Sequence, residues 1–223
     1  MFQTQNRDGY NIINLTDGNL LTEAATFINQ GNADGINLNY IKNWPLDLEA
    51  LRDLNTIKSI IVNDYPTSSE YDYSAIHSMG NLEHISINTT DRKEISFSSW
   101  PKLNSVALMW RPKAKTLFDC VNLQRLFIGQ YTGKDLTEIS KLKQLWYLRI
   151  NTGSVTSLQG LSQIGELNEL QLMQITKLKD IDDILKLTKL KRLRIDNCKQ
   201  IQNIESIKKM HIHSLEIVGT TPN

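Results

Sequence analysis

Apolar residues recur along the chain in a frame, apolar-x-x-apolar-x-apolar, whose first positions lie 20 to 25 residues apart. Its copies are Ala33/Ile36/Leu38, Ile57/Ile60/Val62, Leu82/Ile85/Ile87, Leu103/Val106/Leu108, Leu123/Leu126/Ile128, Leu145/Leu148/Ile150, Leu167/Leu170/Leu172, Leu190/Leu193/Ile195 and Ile212/Leu215/Ile217, nine units in all. The last two apolar positions of each copy are two residues apart, which places them on one face of a strand. Between copies the rhythm changes to three, as in Leu136/Ile139/Leu142, Val155/Leu158/Leu161/Ile164, Leu178/Ile181/Ile184/Leu187 and Ile201/Ile204/Ile207. That spacing predicts 3₁₀ turns or short helical turns rather than long helices. A coil of about 22 residues is short for a full strand–helix–strand crossover, so one parallel strand per turn is predicted, each burying its apolar edge on its neighbours.

Residues 1–32 precede the frame and predict an N-terminal capping segment, with a strand over 10–15 and a helix over 20–28 stopped near Gly31. Residues 33–223 are predicted to form the repeat solenoid, the whole being a single domain. The rhythm breaks in the insertion 63–80, where Asp64-Tyr65-Pro66 interrupts the coil and Tyr65, Tyr71 and Tyr73 cluster, either packed on the convex side or forming a contact loop. At the other terminus the chain ends six residues after Ile217. The last strand is therefore expected to be an exposed edge, a truncation, or a surface covered by a partner, with pairing to a second copy one such arrangement.

These frames resemble the leucine-rich repeat family, in its short bacterial class of which the internalins are the familiar example; the match covers about residues 33 to 218. The resemblance implies an α/β solenoid: a right-handed horseshoe with a curved parallel sheet on the concave face, 3₁₀ or short helical turns on the convex face, and no intrinsic catalytic machinery. One departure stands out. The family places Asn or Cys three residues past the last strand Leu, where the side chain satisfies backbone groups of the turn. Here those positions hold Ile41, Tyr65, Thr90, Arg111, Tyr131, Gly153, Ile175, Cys198 and Thr220, so only Cys198 conforms and irregular turns are expected.

Composition narrows the function. The 223 residues carry a net charge of +1 and are 40% hydrophobic, which fits a globular chain. No run approaches the roughly 18 to 20 apolar residues of a membrane span, and the polar opening lacks the order of a signal peptide, so a cytoplasmic location and no membrane partner are expected. Residues 1–111 are net −5 and residues 112–223 net +6. Cys120 and Cys198 are too few and too far apart for a disulfide framework or zinc ribbon. Gly129-Gln130-Tyr131-Thr132-Gly133-Lys134-Asp135 is one spacer short of a phosphate-binding loop and has Asp where the hydroxyl belongs. His211 and His213 flank Ile212 and would share one face of an alternating strand, but two imidazoles without a nearby carboxylate or thiol make a poor metal site. Asp180, Asp182 and Asp183 fall on the convex segment of the seventh coil, as a solvated ridge would. No catalytic residue, cofactor or metal is assigned.

Strand residues alternating with the apolar ones point to the concave face in three columns. The first is Gly35, Ser59, His84, Ser105, Arg125, Tyr147, Glu169, Arg192 and Ser214; the second Asn37, Ile61, Ser86, Ala107, Phe127, Arg149, Gln171, Arg194 and Glu216. The third is Asn39, Asn63, Asn88, Met109, Gly129, Asn151, Met173, Asp196 and Val218. Strands five to eight thus bring together Arg125, Phe127, Tyr147, Arg149, Gln171, Met173, Arg192 and Arg194. Aromatics, Met and Arg are what interface cores select. Every Arg between residues 112 and 223 falls on this face while the lysines lie elsewhere, although Glu169, Asp196 and Glu216 offer those arginines internal partners. A protein partner of acidic or mixed surface is expected. Among cytosolic proteins that the chain resembles, scaffolds, enzyme inhibitors, injected effectors and toxin-neutralising immunity proteins occur, and a short chain without appended segments resembles the inhibitor or immunity sort most. Nucleic-acid binding, with the arginines on phosphates and Phe127 or Tyr147 stacking bases, is the alternative. The net charge of +1 weighs against it.

Overall fold

A computed structural model describes residues 2–39, 41–43, 48–52, 54–63, 74–89 and 94–220. Tyr65, Tyr71 and Tyr73 lie outside the described residues. The strands are β1 (Thr4–Arg7), β2 (Tyr10–Asn14), β3 (Gly35–Asn37), β4 (Ser59–Asn63), β5 (His84–Asn88), β6 (Ser105–Met109), β7 (Arg125–Tyr131), β8 (Tyr147–Gly153), β9 (Glu169–Met173), β10 (Arg192–Asp196) and β11 (Ser214–Val218), and their order follows chain order. Among the described residues three short α-helices, α1 (Leu21–Asn29), α2 (Ser74–His77) and α3 (Ile204–Lys208), stand among 3₁₀ segments such as Ile139–Lys141, Leu161–Gln163 and Asp182–Lys186. The three-residue spacing thus becomes tight turns, as their one-sided burial requires. The chain divides into two compact units. One takes the described residues up to Ala107 with Pro112–Leu117, the other Leu108–Arg111 with those from Phe118 on.

In the first unit β1 and β2 form an antiparallel hairpin closed by Asp8 and Gly9, both at positive φ (51° and 90°). Asp-Gly between two short strands is the signal of such a two-residue turn, and β1 is the element the apolar pattern does not reveal because its exposed residues carry no periodicity. From β2 to β5 the pairing is parallel. The open sheet face is largely consumed internally here: Ser59, fully buried, meets His84 Nδ1 at 2.7 Å, and Tyr10 stacks on His84 while its hydroxyl donates to Glu83 at 2.9 Å. Ser59, Asn37 and Ile61, expected to point to the concave face, are buried, and Asn37 donates to the Asn14 side-chain oxygen at 2.9 Å.

In the second unit β7 to β11 are parallel and in register, and Leu126, Ile128, Leu148, Ile150, Leu170, Leu172, Leu193 and Ile195 are sealed within it. Burying a Leu or Ile side chain contributes roughly 1.5–3 kcal/mol, so this repeated stripe supplies the main driving force. Leu215 and Ile217 of β11 are only half-buried. The turns are regular despite the missing Asn ladder. Two residues past the last inward strand position, Gln130, Thr152, Gln174, Asn197 and Gly219 all adopt φ between 54° and 61°. The next position turns inward and is buried at Tyr131, Ile175, Cys198 and Thr220. Backbone groups do the bonding that the ladder would have done: Gln174 N–H donates to the Asp196 carbonyl at 2.7 Å and Asn197 N–H to that of Val218 at 2.8 Å. Apolar fill and a repeated left-handed residue therefore replace the expected polar side chains.

Candidate functional site

Parallel register aligns the outward residues of β7 to β11 in rows. Arg125, Tyr147, Glu169 and Arg192 face one another across successive strands, as do Phe127, Arg149, Gln171, Arg194 and Glu216, and Gly129, Asn151, Met173, Asp196 and Val218. Neighbours in a row stand about 4.8 Å apart, the strand spacing, so long side chains touch. All eight residues singled out from the sequence lie on this face of the second unit. Arg192 is exposed and the other seven are half-buried.

The geometry separates two regions. On β7 and β8, cations sit on rings: the Arg125 guanidinium lies 5.7 Å from the Trp146 ring and 5.4 Å from that of Tyr147, and Arg149 lies 5.1 Å from Phe127. Each such contact is worth about 0.5–1 kcal/mol at an accessible site. Burial, the largest influence, pushes the Tyr147 phenol above its ordinary value against the opposing pull of Arg149, so it stays neutral at physiological pH. On β9 and β10, charges sit on charges: Arg192 pairs with Glu169 at 3.3 Å, and Arg194 with Asp196 at 3.2 Å and Glu216 at 3.3 Å. Gln171 donates to Glu169 at 2.7 Å. The internal pairing open to these arginines from the sequence is thus realised at Arg192 and Arg194.

Trp146 belongs to this surface and is absent from the three predicted columns, because it precedes β8. Its backbone is held by two bonds on each side: it and Tyr147 donate to the Gln124 carbonyl at 3.0 and 3.2 Å, and its own carbonyl accepts from Asn168 and Glu169 at 2.9 Å. The residue remains 39% exposed, and its ring meets Tyr147 edge-on at 6.0 Å. A signal was present, since the equivalent position elsewhere holds Asp34, Lys58, Glu83, Asn104, Gln124, Asn168, Lys191 and His213, all polar. A large aromatic at a solvated position is a binding feature more than a folding one.

Other candidate chemistry finds structural employment or none. His211 and His213 precede β11 rather than alternating within it, so the shared strand face expected for them does not form. No group of three His, Cys, Asp or Glu among the described residues is arranged to hold a metal. Asp183 accepts from Gly160 N–H at 2.8 Å and from the Ser162 hydroxyl at 3.1 Å, and Asp180 accepts from the Ser157 hydroxyl at 2.7 Å. These carboxylates tie successive coils together. Burial pushes the Cys120 thiol up to about 11, with Asp119 adding to the effect, which leaves it inert near neutral pH. No described helix is long and apolar enough to cross a membrane.

No protein-family model matches the sequence, and no curated protein matches it either. Solved structures do. An internalin C2 from Listeria monocytogenes superposes with a TM-score of 0.57 at 15% identity, over 77% of this chain and 75% of that one. The functional domain of InlJ from Listeria monocytogenes, described as including a cysteine ladder, superposes with a TM-score of 0.51 at 15% identity, over 93% of this chain and 56% of that one. At such identity the likeness speaks for the fold alone. Repeat frame, strand order and structural likeness agree: this chain has the leucine-rich repeat solenoid fold, with the internalin-like arrangement of short turns and parallel strands.

Proposed function

We propose that the chain is a non-catalytic protein-interaction module that binds a partner protein through the open face of β7 to β10. The carrying observation is the lattice of guanidinium groups and rings on an accessible, rigid sheet face: Arg125 on Trp146 and Tyr147, and Arg149 on Phe127. Rings and forked cations held before contact lose little entropy on binding. Nucleic acid suits this face less, because Glu169, Asp196 and Glu216 stand among its arginines and oppose a phosphate backbone. The finer reading is an enzyme inhibitor or toxin-neutralising immunity protein acting in the cytoplasm, a role for which a preorganised face suits tight docking. Affinity capture from the native cell supplies the partner. Arg149→Glu and Tyr147→Ala are each expected to weaken its binding by well over about 1 kcal/mol without unfolding the chain. Undiminished capture by both folded variants refutes the reading.

A further inference from the structure

The face arginines are not equivalent. Arg192 and Arg194 have carboxylates at 3.2–3.3 Å. Arg149, in the middle of the second row, has no carboxylate within 4.0 Å among the described residues. It rests on Phe127, while its Nε is shielded from solvent and makes no protein hydrogen bond. A guanidinium keeps its charge at every physiological pH and carries five N–H donors, of which this arrangement uses few. Holding such a cation half-buried without an anion is costly, and the Phe127 ring beneath it offsets part of that cost.

Charge on the face points the same way. The outward rows of β7 to β11 carry four guanidinium groups, Arg125, Arg149, Arg192 and Arg194, against three carboxylates, Glu169, Asp196 and Glu216. The surplus is one positive charge, which suits a single carboxylate and disfavours a polyanion. Phe127 lies under Arg149, and the exposed Trp146 ring adjoins Tyr147 on the same face, so apolar surface is offered beside the cation.

Resting on the protein-binding reading above, we propose that Arg149 is the carboxylate-docking point of this face. The partner presents an Asp or Glu side chain to the Arg149 fork, and an aromatic or apolar residue of the same segment packs against Trp146 and Phe127. Arg192 and Arg194, already neutralised, form a fixed flank that sets orientation.

The test is titration of the full chain with three labelled probes at low salt: a random glutamate–tyrosine copolymer, polyglutamate and single-stranded oligodeoxythymidine, read by fluorescence anisotropy. The copolymer is expected to bind most tightly. Arg149→Met should weaken it about tenfold or more and Arg149→Lys by less, whereas Arg192→Met with Arg194→Met should cost about threefold or less. Circular dichroism establishes that each variant is folded, and Arg149→Lys serves should Arg149→Met fail to fold. Copolymer binding untouched by Arg149→Met but lost in Tyr147→Ala overturns the carboxylate assignment and leaves the face intact as a binding surface. Binding untouched by either substitution, or no copolymer binding by the unaltered chain, overturns both. Tighter binding of oligodeoxythymidine than of the copolymer overturns the acidic-segment assignment.

Discussion

Gly153 closes β8 at a φ of +135°, where a Cβ would stand 2.3 Å from the Tyr131 carbonyl oxygen and 3.0 Å from its nitrogen. Both neighbours are backbone, so relief requires β8 to move away from β7 rather than a side chain to swing aside. Gly153→Ala therefore carries two costs. Strain at a φ that side chains rarely adopt is about 1–3 kcal/mol. Loss of the Ser154 N–H bond to the Tyr131 carbonyl, 2.8 Å long, adds about 0.5–1.5 kcal/mol. Against these stands a gain of about 0.4–1 kcal/mol from the stiffer unfolded chain, for a net loss of about 0.5–4 kcal/mol, centred on about 2 kcal/mol. Gly165→Ala is the matched control, since that glycine has no positive φ and no atom within 4 Å of a built Cβ. It receives the unfolded-state gain alone. Urea unfolding followed by far-ultraviolet circular dichroism should show a clearly lower midpoint for Gly153→Ala and an unchanged or slightly higher one for Gly165→Ala. Coincident midpoints would refute the assignment of Gly153 to the close approach of these strands, and with it the register that holds Arg149 beside Phe127.

Leu170→Ala, at a fully buried site in β9, should cost about 3 kcal/mol or more in the same assay, against less than about 1 kcal/mol for Trp146→Ala at its accessible rim. At Asp183, burial alone would raise the carboxyl; hydrogen bonds from Lys186, Ser162 and Gly160 outweigh it and hold the group below its ordinary value. A depressed folded value contributes stability above the unfolded carboxylate pKa of about 3.9 that is lost as pH falls through the lower folded value. Asp183→Asn should accordingly flatten the fall of urea midpoint below about pH 4, and an unchanged slope would count against the latch between these coils. Cys120, its thiol raised to about 11, should react with a thiol-specific disulfide reagent at pH 8 on the order of a hundredfold more slowly than a free cysteine.

The apolar frame was enough to place nearly every parallel strand, because a residue period of two followed by one of three leaves a single way to bury every Leu and Ile. The outward rows of β7 to β11 follow from that alternation alone. Three features did not follow. β1 is exposed and aperiodic, so its only trace is the Asp8-Gly9 turn. The turns after β9 and β10 stay regular without an Asn ladder because backbone carbonyls of the next coil accept the Gln174 and Asn197 N–H groups, and such bonds carry no side-chain signature. Trp146 lies outside the strand alternation, and its place beside Arg125 depends on how the preceding turn enters β8. Which arginines are neutralised is likewise a matter of three dimensions. Apart from the Asp196 that follows Arg194 on its own strand, Arg149, Arg192 and Arg194 look alike along the chain, and only the spacing of strands about 4.8 Å apart puts Glu169 and Glu216 beside two of them and a ring beneath the third. Periodicity decides which way a side chain points, since backbone sterics impose it locally; what that side chain meets depends on residues some 22 positions away, brought near by coiling.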